Sequence, residues 1–160
     1  MKKYSTLLLK IAVFLIGLPV LAACLYILPN IIIELFTMPP KGIFLLISIF
    51  IMLSGSVSFF FIALYQAYKL LNYIEKKEAF SNLSVNALSI IKKCAFVISG
   101  FYTAGLPILY LIAQLDDAPG VILIGLIIIF ASVVIGIFAA LLQEILKNAI
   151  EIKSENDLTI

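Results

Sequence analysis

Four long apolar stretches, divided by one charged interval, constrain this chain more than any other feature. The interval covers residues 69–93, reads KLLNYIEKKEAFSNLSVNALSIIKK, and has two apolar stretches on each side. The stretches cover about residues 11–28, 43–68, 95–115 and 121–142. A helix needs about 20 apolar residues to cross the roughly 30 Å hydrocarbon core of a bilayer. The sequence therefore predicts a single membrane domain, residues 1–160, with four spanning helices.

Composition agrees with a membrane location, and it lacks side chains that common catalytic and metal sites use. Hydrophobic residues make up 64% of the chain and charged residues 12%, whereas soluble domains are about one-quarter charged. All eleven basic residues are lysine, and histidine is absent. The chain therefore lacks the commonest general base and the imidazole metal ligand. We predict no catalytic residue, no metal site and no cofactor, and we do not expect an enzyme.

The placement of lysine predicts the orientation. Ten of the eleven lysines lie in residues 1–10, in the interval 69–93 or in the tail 143–160, and only Lys41 lies on the opposite side. Lysine-rich segments remain in the cytoplasm during insertion. The sequence therefore predicts a multi-pass protein of the cell membrane with both termini and the central loop in the cytoplasm. We expect an all-α, integral-membrane four-helix bundle, built from two antiparallel hairpins and surrounded by the lipid bilayer.

The central loop contains an amphipathic segment. We expect the second span to continue as helix to about Glu78, and Ser81 is a suitable N-cap for a new helix, with Phe80 as an apolar staple. Polar and apolar side chains then separate with a helical period. The polar stripe is Asn82, Asn86, Ser89 and Lys93, and the apolar stripe is Leu83, Ala87, Leu88 and Ile91. We interpret this segment as a cytoplasmic amphipathic elbow at the inner interface, either an anchor for the third span or a docking surface for a cytoplasmic protein.

The tail, residues 143–160, is expected to begin as helix and to end as a short extended segment. Leu158 and Ile160 alternate there with polar residues, and each would contribute about 1.5–3 kcal/mol if it were fully buried. The nearest apolar surface on the same side is the elbow, so we predict that the tail docks beneath it. The candidate partner-binding residues of this cytoplasmic face are Phe80, Leu83, Ala87, Asn156 and Leu158.

Small and hydroxyl side chains in the spans allow two interpretations. They favour close helix packing, with Ser132, Gly136 and Ala140 of the fourth span as the main candidates and a homo-oligomer as one expected partner. Similar pairs are Ser54 with Ser58 and Gly100 with Ala104. Alternatively, hydroxyls near the kinks at Pro19 and Pro107 could line a small cavity. These hydroxyls belong to Ser54, Ser56, Ser58, Ser99, Tyr102 and Thr103. No charged residue lies deep in any span, which argues against an ion-coupled transporter.

A weak internal repeat relates the two halves of the chain. Residues 63–66 (ALYQ) and 140–143 (ALLQ) both end an even-numbered span, and spans one and three each contain a proline near mid-depth. The pattern predicts duplicated hairpins related by an axis along the membrane normal. Chance matches within a biased composition are the alternative explanation.

Cys24 invites a further interpretation, because Leu21-Ala22-Ala23-Cys24 follows a lysine-rich start in the manner of a lipoprotein cleavage site. The next four residues are apolar rather than a polar tether. We therefore expect an intact first span without lipid on Cys24. Cys24 and Cys94 fall at different depths, so we predict two free thiols rather than a disulfide.

Two segments resemble the YoaS-like family of bacterial membrane proteins, whose function is unknown. They are Glu78-Ala79-Phe80-Ser81, which precedes the amphipathic segment, and the ending Ser154-Glu155-Asn156-Asp157-Leu158-Thr159-Ile160. The resemblance covers essentially the whole chain and implies a four-span protein of the plasma membrane, often encoded beside a small Cro/CI-like helix-turn-helix regulator. Family members often have a Glu-Asn pair soon after the Phe-Ser, where this chain has Asn82-Leu83-Ser84. The resemblance implies no catalytic residue.

Two functions remain open at this point. One is an interaction or sensing protein whose cytoplasmic face, residues 80–91 and the tail, holds a partner such as a Cro/CI-like regulator, without direct nucleic-acid binding. The other is a resistance (immunity) protein against a small molecule or peptide toxin, or a minor transporter, that uses the kinked first and third spans.

Overall fold

The computed structural model describes residues 3–158, and these are almost entirely helical, as predicted. The helices are α1 (Lys3–Thr37), α2 (Pro40–Glu75), α3 (Asn82–Ala104), α4 (Leu106–Leu115) and α5 (Gly120–Leu158). Four of them, α1, α2, α3 and α5, are long and apolar enough to cross a membrane. The shorter α4 continues the span that α3 begins. The protein is therefore an all-α, multi-pass membrane protein.

Three of the helices are longer than a hydrocarbon core requires. α1, α2 and α5 contain 35, 36 and 39 residues, which corresponds to about 52–58 Å at a rise of about 1.5 Å per residue. α1 continues past the predicted end of the first span at Leu28, through Pro29 to Thr37. A proline removes one backbone hydrogen bond, whereas a helix end in lipid would leave up to four carbonyls without partners. Continuing the helix therefore costs less free energy than ending it within the lipid.

The third span is interrupted where the sequence predicts a kink. α3 ends at Ala104, and Gly105 separates it from α4 with φ −85° and ψ −3°. Pro107 has no N–H to donate to the carbonyl of Thr103. The hydroxyl of Thr103 donates back to the carbonyl of Ser99 at 2.7 Å. The break therefore follows from the Gly-Leu-Pro sequence itself.

The helices lie side by side in a row. α2 packs between α1 and α3, α3 packs between α2 and α5, and α4 packs mainly against α5. Among the described residues, α1 contacts α2 alone, and α1 and α5 do not meet. The expected four-helix bundle is thus not closed into a ring. Membrane helices associate where small or polar residues allow close approach, and the described helices satisfy this condition along the row but not between its two ends.

This packing lacks the symmetry that the internal repeat predicts. A two-fold axis exchanging the hairpins would turn the contact between α2 and α3 into a contact between α5 and α1, which the described residues do not make. The first span is also one continuous helix, whereas the third is divided at Gly105. The similarity between residues 63–66 and 140–143 is therefore not reflected in a symmetric arrangement.

The predicted elbow is the first part of α3 rather than a separate helix lying on the membrane. Ser81 occupies the N-cap position, as predicted, but its hydroxyl donates to the carbonyl of Glu78 at 2.6 Å and makes no cap bond to the first turn. The face of α3 opposite its exposed polar residues is buried. Its members include Ser84, Val85, Ala87 and Leu88. This face packs against protein because α2 and α5 also extend past the hydrocarbon core and flank α3 there.

Candidate functional site

Antiparallel packing collects most of the lysines at one end of the molecule. Lys10 Nζ lies 2.5 Å from Glu75 Oε2 and joins α1 to α2. Lys92 Nζ donates to Gln143 Oε1 at 3.1 Å and joins α3 to α5. We call this end, residues 3–10, 69–93 and 143–158, the lysine end; Lys2 lies outside the described residues.

The connection from α2 to α3 at the lysine end has a defined backbone. Lys77 has φ 62°, and the N–H of Glu78 donates to the carbonyl of Tyr73 at 2.7 Å. This is the left-handed closure that commonly ends a helix. The hydroxyls of Ser81 and Ser84 then donate to the carbonyl of Glu78, at 2.6 and 3.4 Å. Hydrogen bonds from both flanking helices therefore fix the connection.

Two apolar side chains project from this connection and the start of α3. Phe80 is 58% exposed and Leu83 is 50% exposed. Leu83 precedes Lys92 by about nine residues, or ~13 Å of helix. A headgroup layer is only about 5–8 Å thick on each side of the hydrocarbon core. If Lys92 marks the edge of that core, both apolar side chains extend beyond the headgroups.

The other three predicted partner-binding residues differ in their exposure and in the helix that carries them. Ala87 is 2% exposed, so it packs inside the protein and is not available to a partner, contrary to prediction. Asn156 and Leu158 lie on α5, where Leu158 is 83% exposed. Among the five candidates, Ala87 is therefore the one that the described structure withdraws from the surface.

The tail differs from its predicted conformation. α5 continues to Leu158, and residues 151–158 are all exposed, so the described tail is helical and does not dock beneath the start of α3. A continued helix satisfies its own backbone hydrogen bonds, which an extended tail would have to find elsewhere. The apolar residue Ile160, which was expected to help hold the tail, lies outside the described residues.

The small-residue ridge of α5 faces α3. Ser132 and Gly136 are buried and Ala140 is half-buried. A Cβ added to Gly136 would lie 2.9 Å from Phe96 Cζ, so the ring of α3 occupies the space that a side chain would need. Gly100, in contrast, has nothing within 4 Å of an added Cβ. The pair Gly100 and Ala104 therefore faces away from the neighbouring helices, contrary to the packing interpretation.

A groove of about 480 Å³ lies in the gap that the row leaves between α1 and α5. All four long helices contribute to its lining, which is apolar except for three hydroxyl side chains. These are Ser56 of α2, Tyr102 of α3 and Ser132 of α5. Each lies about 10–13 residues from the lysine end, or ~15–20 Å along its helix. With the lysine end taken as one edge of a hydrocarbon core of about 30 Å, these distances put the hydroxyls near its middle.

The hydroxyls of the groove differ in their hydrogen bonding. Ser56 Oγ donates to the carbonyl of Leu53 at 3.0 Å and lies 3.3 Å from the Tyr102 hydroxyl. Ser132 makes no hydrogen bond to any residue from 3 to 158. The other hydroxyls that the sequence singled out satisfy carbonyls of their own helices and do not line the groove. They belong to Ser54, Ser58, Ser99 and Thr103.

The sequence pattern indicates only a helix-packing role for Ser132. The structure shows that one side chain can border both the α3–α5 contact and the groove. A serine within a stripe of small residues gives no signal that separates these two roles.

A second depression, of about 510 Å³, lies between α4 and α5. Its hydroxyl belongs to Tyr110, which accepts a hydrogen bond from Gln114 Nε2 at 2.7 Å. This depression therefore has an apolar lining, and its one hydroxyl is already hydrogen-bonded to Gln114.

Neither cysteine belongs to a polar site. Cys24 lies within α1 and Cys94 is buried in α3, and both thiols are free. Within residues 3–158, no group of three or more histidine, cysteine or carboxylate side chains could hold a metal ion.

Comparison with known proteins places the chain among membrane proteins. The sequence profile described as "Protein of unknown function (DUF2975)" matches residues 5–160. The chain is 55% identical to the "Uncharacterized membrane protein YoaS" of Bacillus subtilis (strain 168), in an alignment of 163 residues that covers all of both chains. No solved structure matches the chain.

Proposed function

The chain belongs to the DUF2975 family, and we propose that it is an interaction protein that holds a cytoplasmic partner at the lysine end. The supporting observation is the exposure of Phe80 and Leu83, 58% and 50%, at the hydrogen-bonded connection into α3 at the lysine end. Complete burial of a fully exposed side chain of this kind releases about 1.5–3 kcal/mol, so roughly half of that remains to be gained at each of these half-exposed residues. Aromatic side chains at fixed positions often dominate protein interfaces.

The charge distribution supports a protein of the cell membrane whose lysine end faces the cytoplasm. Lysines concentrate at this end, whereas the opposite connections contain Lys41 together with Glu34, Asp116 and Asp117. The positive-inside rule then places both termini in the cytoplasm. Reporter fusions at Glu78 should give a cytoplasmic signal, and fusions at Thr37 and Asp117 an external one. An external signal at Glu78 would refute the orientation and the partner site with it.

The chemistry of the connection specifies the partner surface. Lys76 and Lys77 precede Phe80 and are exposed, so a complementary surface has an apolar pocket bordered by carboxylates. We propose a small cytoplasmic protein of the Cro/CI-like regulator class as this partner, because the family resemblance implies such a neighbour. The regulator, and not this chain, would contact DNA.

A photo-crosslinking phenylalanine analogue at position 80, followed by purification from native membranes, tests the proposal. We expect a protein adduct whose mass identifies the partner. The matched control is position 36, because Phe36 is 86% exposed but lies at the opposite end of α1. Adducts only with lipid at position 80 would show that Phe80 inserts into the membrane, and the proposal would fail.

Substitution gives a second measurement. The double variant Phe80→Ala, Leu83→Ala should retain less than about one-tenth of the partner on co-purification, in line with the loss of more than 1.4 kcal/mol of binding free energy. Ile152→Ala is the control, because Ile152 is an apolar side chain that is 66% exposed on α5 rather than on the connection or α3. Undiminished co-purification with the double variant would contradict the assignment of the surface.

The groove favours a second candidate function, a resistance protein or minor transporter that takes a hydrophobic compound from the bilayer. Its support is a site of about 480 Å³ that all four long helices line. A strain without the protein should then be more sensitive to such a compound, and Ala131→Phe, which fills the groove, should fail to restore growth. Full restoration by this variant would remove the second candidate and leave the first unaffected.

A further inference from the structure

We propose that the groove between α1 and α5 binds a neutral carbonyl compound with a hydrocarbon tail, and that Ser132 donates a hydrogen bond to its carbonyl oxygen. A prenylated quinone is the membrane-resident class with this chemistry. The inference concerns a site inside the bilayer and does not depend on a cytoplasmic partner.

The hydroxyl of Ser132 is the first observation. The residue is 8% exposed and makes no hydrogen bond within the described part of the chain. That part contains no completely buried side-chain oxygen or nitrogen without a partner. The Oγ atom of Ser132 must therefore lie on the residue's small exposed surface, which borders the groove. It is a hydrogen-bond donor directed at the occupant.

The pair formed by Ser56 and Tyr102 is the second observation. Ser56 Oγ donates to the carbonyl of Leu53, so the hydroxyl of Tyr102 donates to Ser56 across the 3.3 Å that separates them. The proton of Tyr102 is then used, and its ring lines the groove. Ser132 remains the hydroxyl with a proton to give, which selects an acceptor oxygen in the ligand.

Depth separates this ligand from ordinary phospholipid. Ser132 lies about eleven residues from Gln143, or ~16 Å of helix, near the centre of a core of about 30 Å. At that depth a phospholipid presents only hydrocarbon, and a polar group without a partner is unfavourable in lipid. A molecule that carries an oxygen into the bilayer centre satisfies the serine, whereas an acyl chain does not.

Charge and size define the rest of the ligand. The groove is lined by no charged residue, and an ion without a counter-charge is costly at this depth. The ligand is therefore neutral. A volume of about 480 Å³ lies within the range of small-molecule sites.

The test uses full-length protein in phospholipid nanodiscs and three probes with related tails. They are a naphthoquinone with a short prenyl tail, a prenol and a prenyl hydrocarbon without oxygen. The chain has seven tyrosines and no tryptophan, so saturable quenching of tyrosine fluorescence reports bound quinone, and competition against the quinone reports the other two probes. We expect saturable binding of the quinone and at least tenfold weaker competition by the hydrocarbon, which offers Ser132 no acceptor oxygen. The prenol, whose hydroxyl oxygen can also accept, should compete better than the hydrocarbon.

Variants connect the binding to the serine. Ser132→Ala should weaken quinone binding about tenfold, whereas Ser58→Ala should not change it, because Ser58 is exposed and donates to the carbonyl of Ser54 in its own helix. Ala131→Phe, which fills the groove, should abolish saturable quenching and covers the case in which Ser132→Ala does not fold. Equal competition by the hydrocarbon, wild-type affinity in a folded Ser132→Ala, or unchanged quenching in Ala131→Phe would each overturn the proposal.

Discussion

α1 is more apolar than α3, but it is less buried within the protein. α1 is the more apolar of the two, yet none of its most apolar window is buried within the protein, whereas 44% of the corresponding window of α3 is buried. In water the more apolar helix would be the more buried one. In a bilayer the surroundings are as apolar as leucine, so close approach requires small and polar side chains. Hydropathy identifies spans in this protein, and small or hydroxyl residues identify which span is central.

The attachment of α1 is correspondingly narrow. One face contacts α2, where Phe14 meets Tyr68 edge-on with ring centroids 5.9 Å apart, and an added Cβ on Gly17 would lie 3.2 Å from Leu64 Cδ1. α3 instead has neighbours on two sides. Substitutions in α3 should therefore destabilise the protein more than equivalent substitutions in α1, and the following experiments test this difference.

Leu88→Ala in α3 should have the largest effect. Leu88 is 6% exposed, and removing a buried leucine side chain leaves a cavity that costs about 2–5 kcal/mol. Leu18→Ala in α1 is the control, because Leu18 is 59% exposed and the change should stay within about 0.5 kcal/mol. The free energy of unfolding in mixed detergent micelles measures both. Equal losses in the two helices would abolish the distinction between them.

Gly136→Leu should lower the free energy of unfolding by about 1–3 kcal/mol, because overpacking forces helices apart. The Cβ alone would lie 2.9 Å from Phe96 Cζ at the contact between α5 and α3. Gly100→Leu is a matched change on α3, where an added Cβ meets nothing within 4 Å. Thermal melting of both variants in detergent distinguishes a packed face from a lipid-facing one. If Gly136→Leu melts like the wild type, α3 is not enclosed by α5 at this position.

Lys77→Gly should stabilise the protein modestly. Lys77 has φ 62°, a left-handed conformation that costs a residue with a Cβ about 1–2 kcal/mol, part of which glycine loses again to chain entropy. We expect a gain of about 0.5–1 kcal/mol in the free energy of unfolding. Lys76→Gly should do the reverse, since Lys76 has φ −83°. A loss of stability in Lys77→Gly would mean that the connection into α3 is not fixed as described.

Lys10→Met should have the smallest effect, about 0.2–1 kcal/mol, because partly exposed ion pairs contribute little. The side chains of Lys10 and Glu75 are 16% and 32% exposed. The difference between variant and wild type should shrink at high salt, which screens the pair. Cleavage by protease between α1 and α2 provides an independent readout. A large loss of stability would show that α1 depends on one charged contact more than on its apolar face.

Features that depend on local sequence were predictable. The four long apolar helices follow from the length of the apolar stretches, and the break at Gly105 follows from Pro107 two residues later. The start of α3 after Ser81 was predicted too, although the Ser81 hydroxyl donates to the carbonyl of Glu78 instead of capping the first turn. Each of these properties is decided within one or two helical turns.

Features that depend on neighbouring helices were not predictable. Leu83 and Ala87 lie four residues apart on the same predicted apolar stripe, yet one is 50% and the other 2% exposed. A helical period identifies the apolar side of a helix but not how much of that side its neighbours cover. The groove is a stronger case, because Tyr102 and Ser132 come together only through the order in which the helices pack. No periodicity within a single span contains that order.

The row of helices has a consequence for how the protein assembles during synthesis. α1 can pair with α2, and α2 with α3, as soon as each emerges, because these are neighbours along the chain. The contact between α3 and α5 must wait for α5, the last helix of the described chain. At about 5–20 residues per second, the roughly 50 residues that follow α3 take on the order of 3–10 s to synthesise. For those seconds the side of α3 that later meets α5 is exposed to lipid, with Lys92 lacking Gln143 as its acceptor. Quality-control proteases of the membrane have their longest opportunity in that interval, and a chain truncated before α5 would remain in this state permanently.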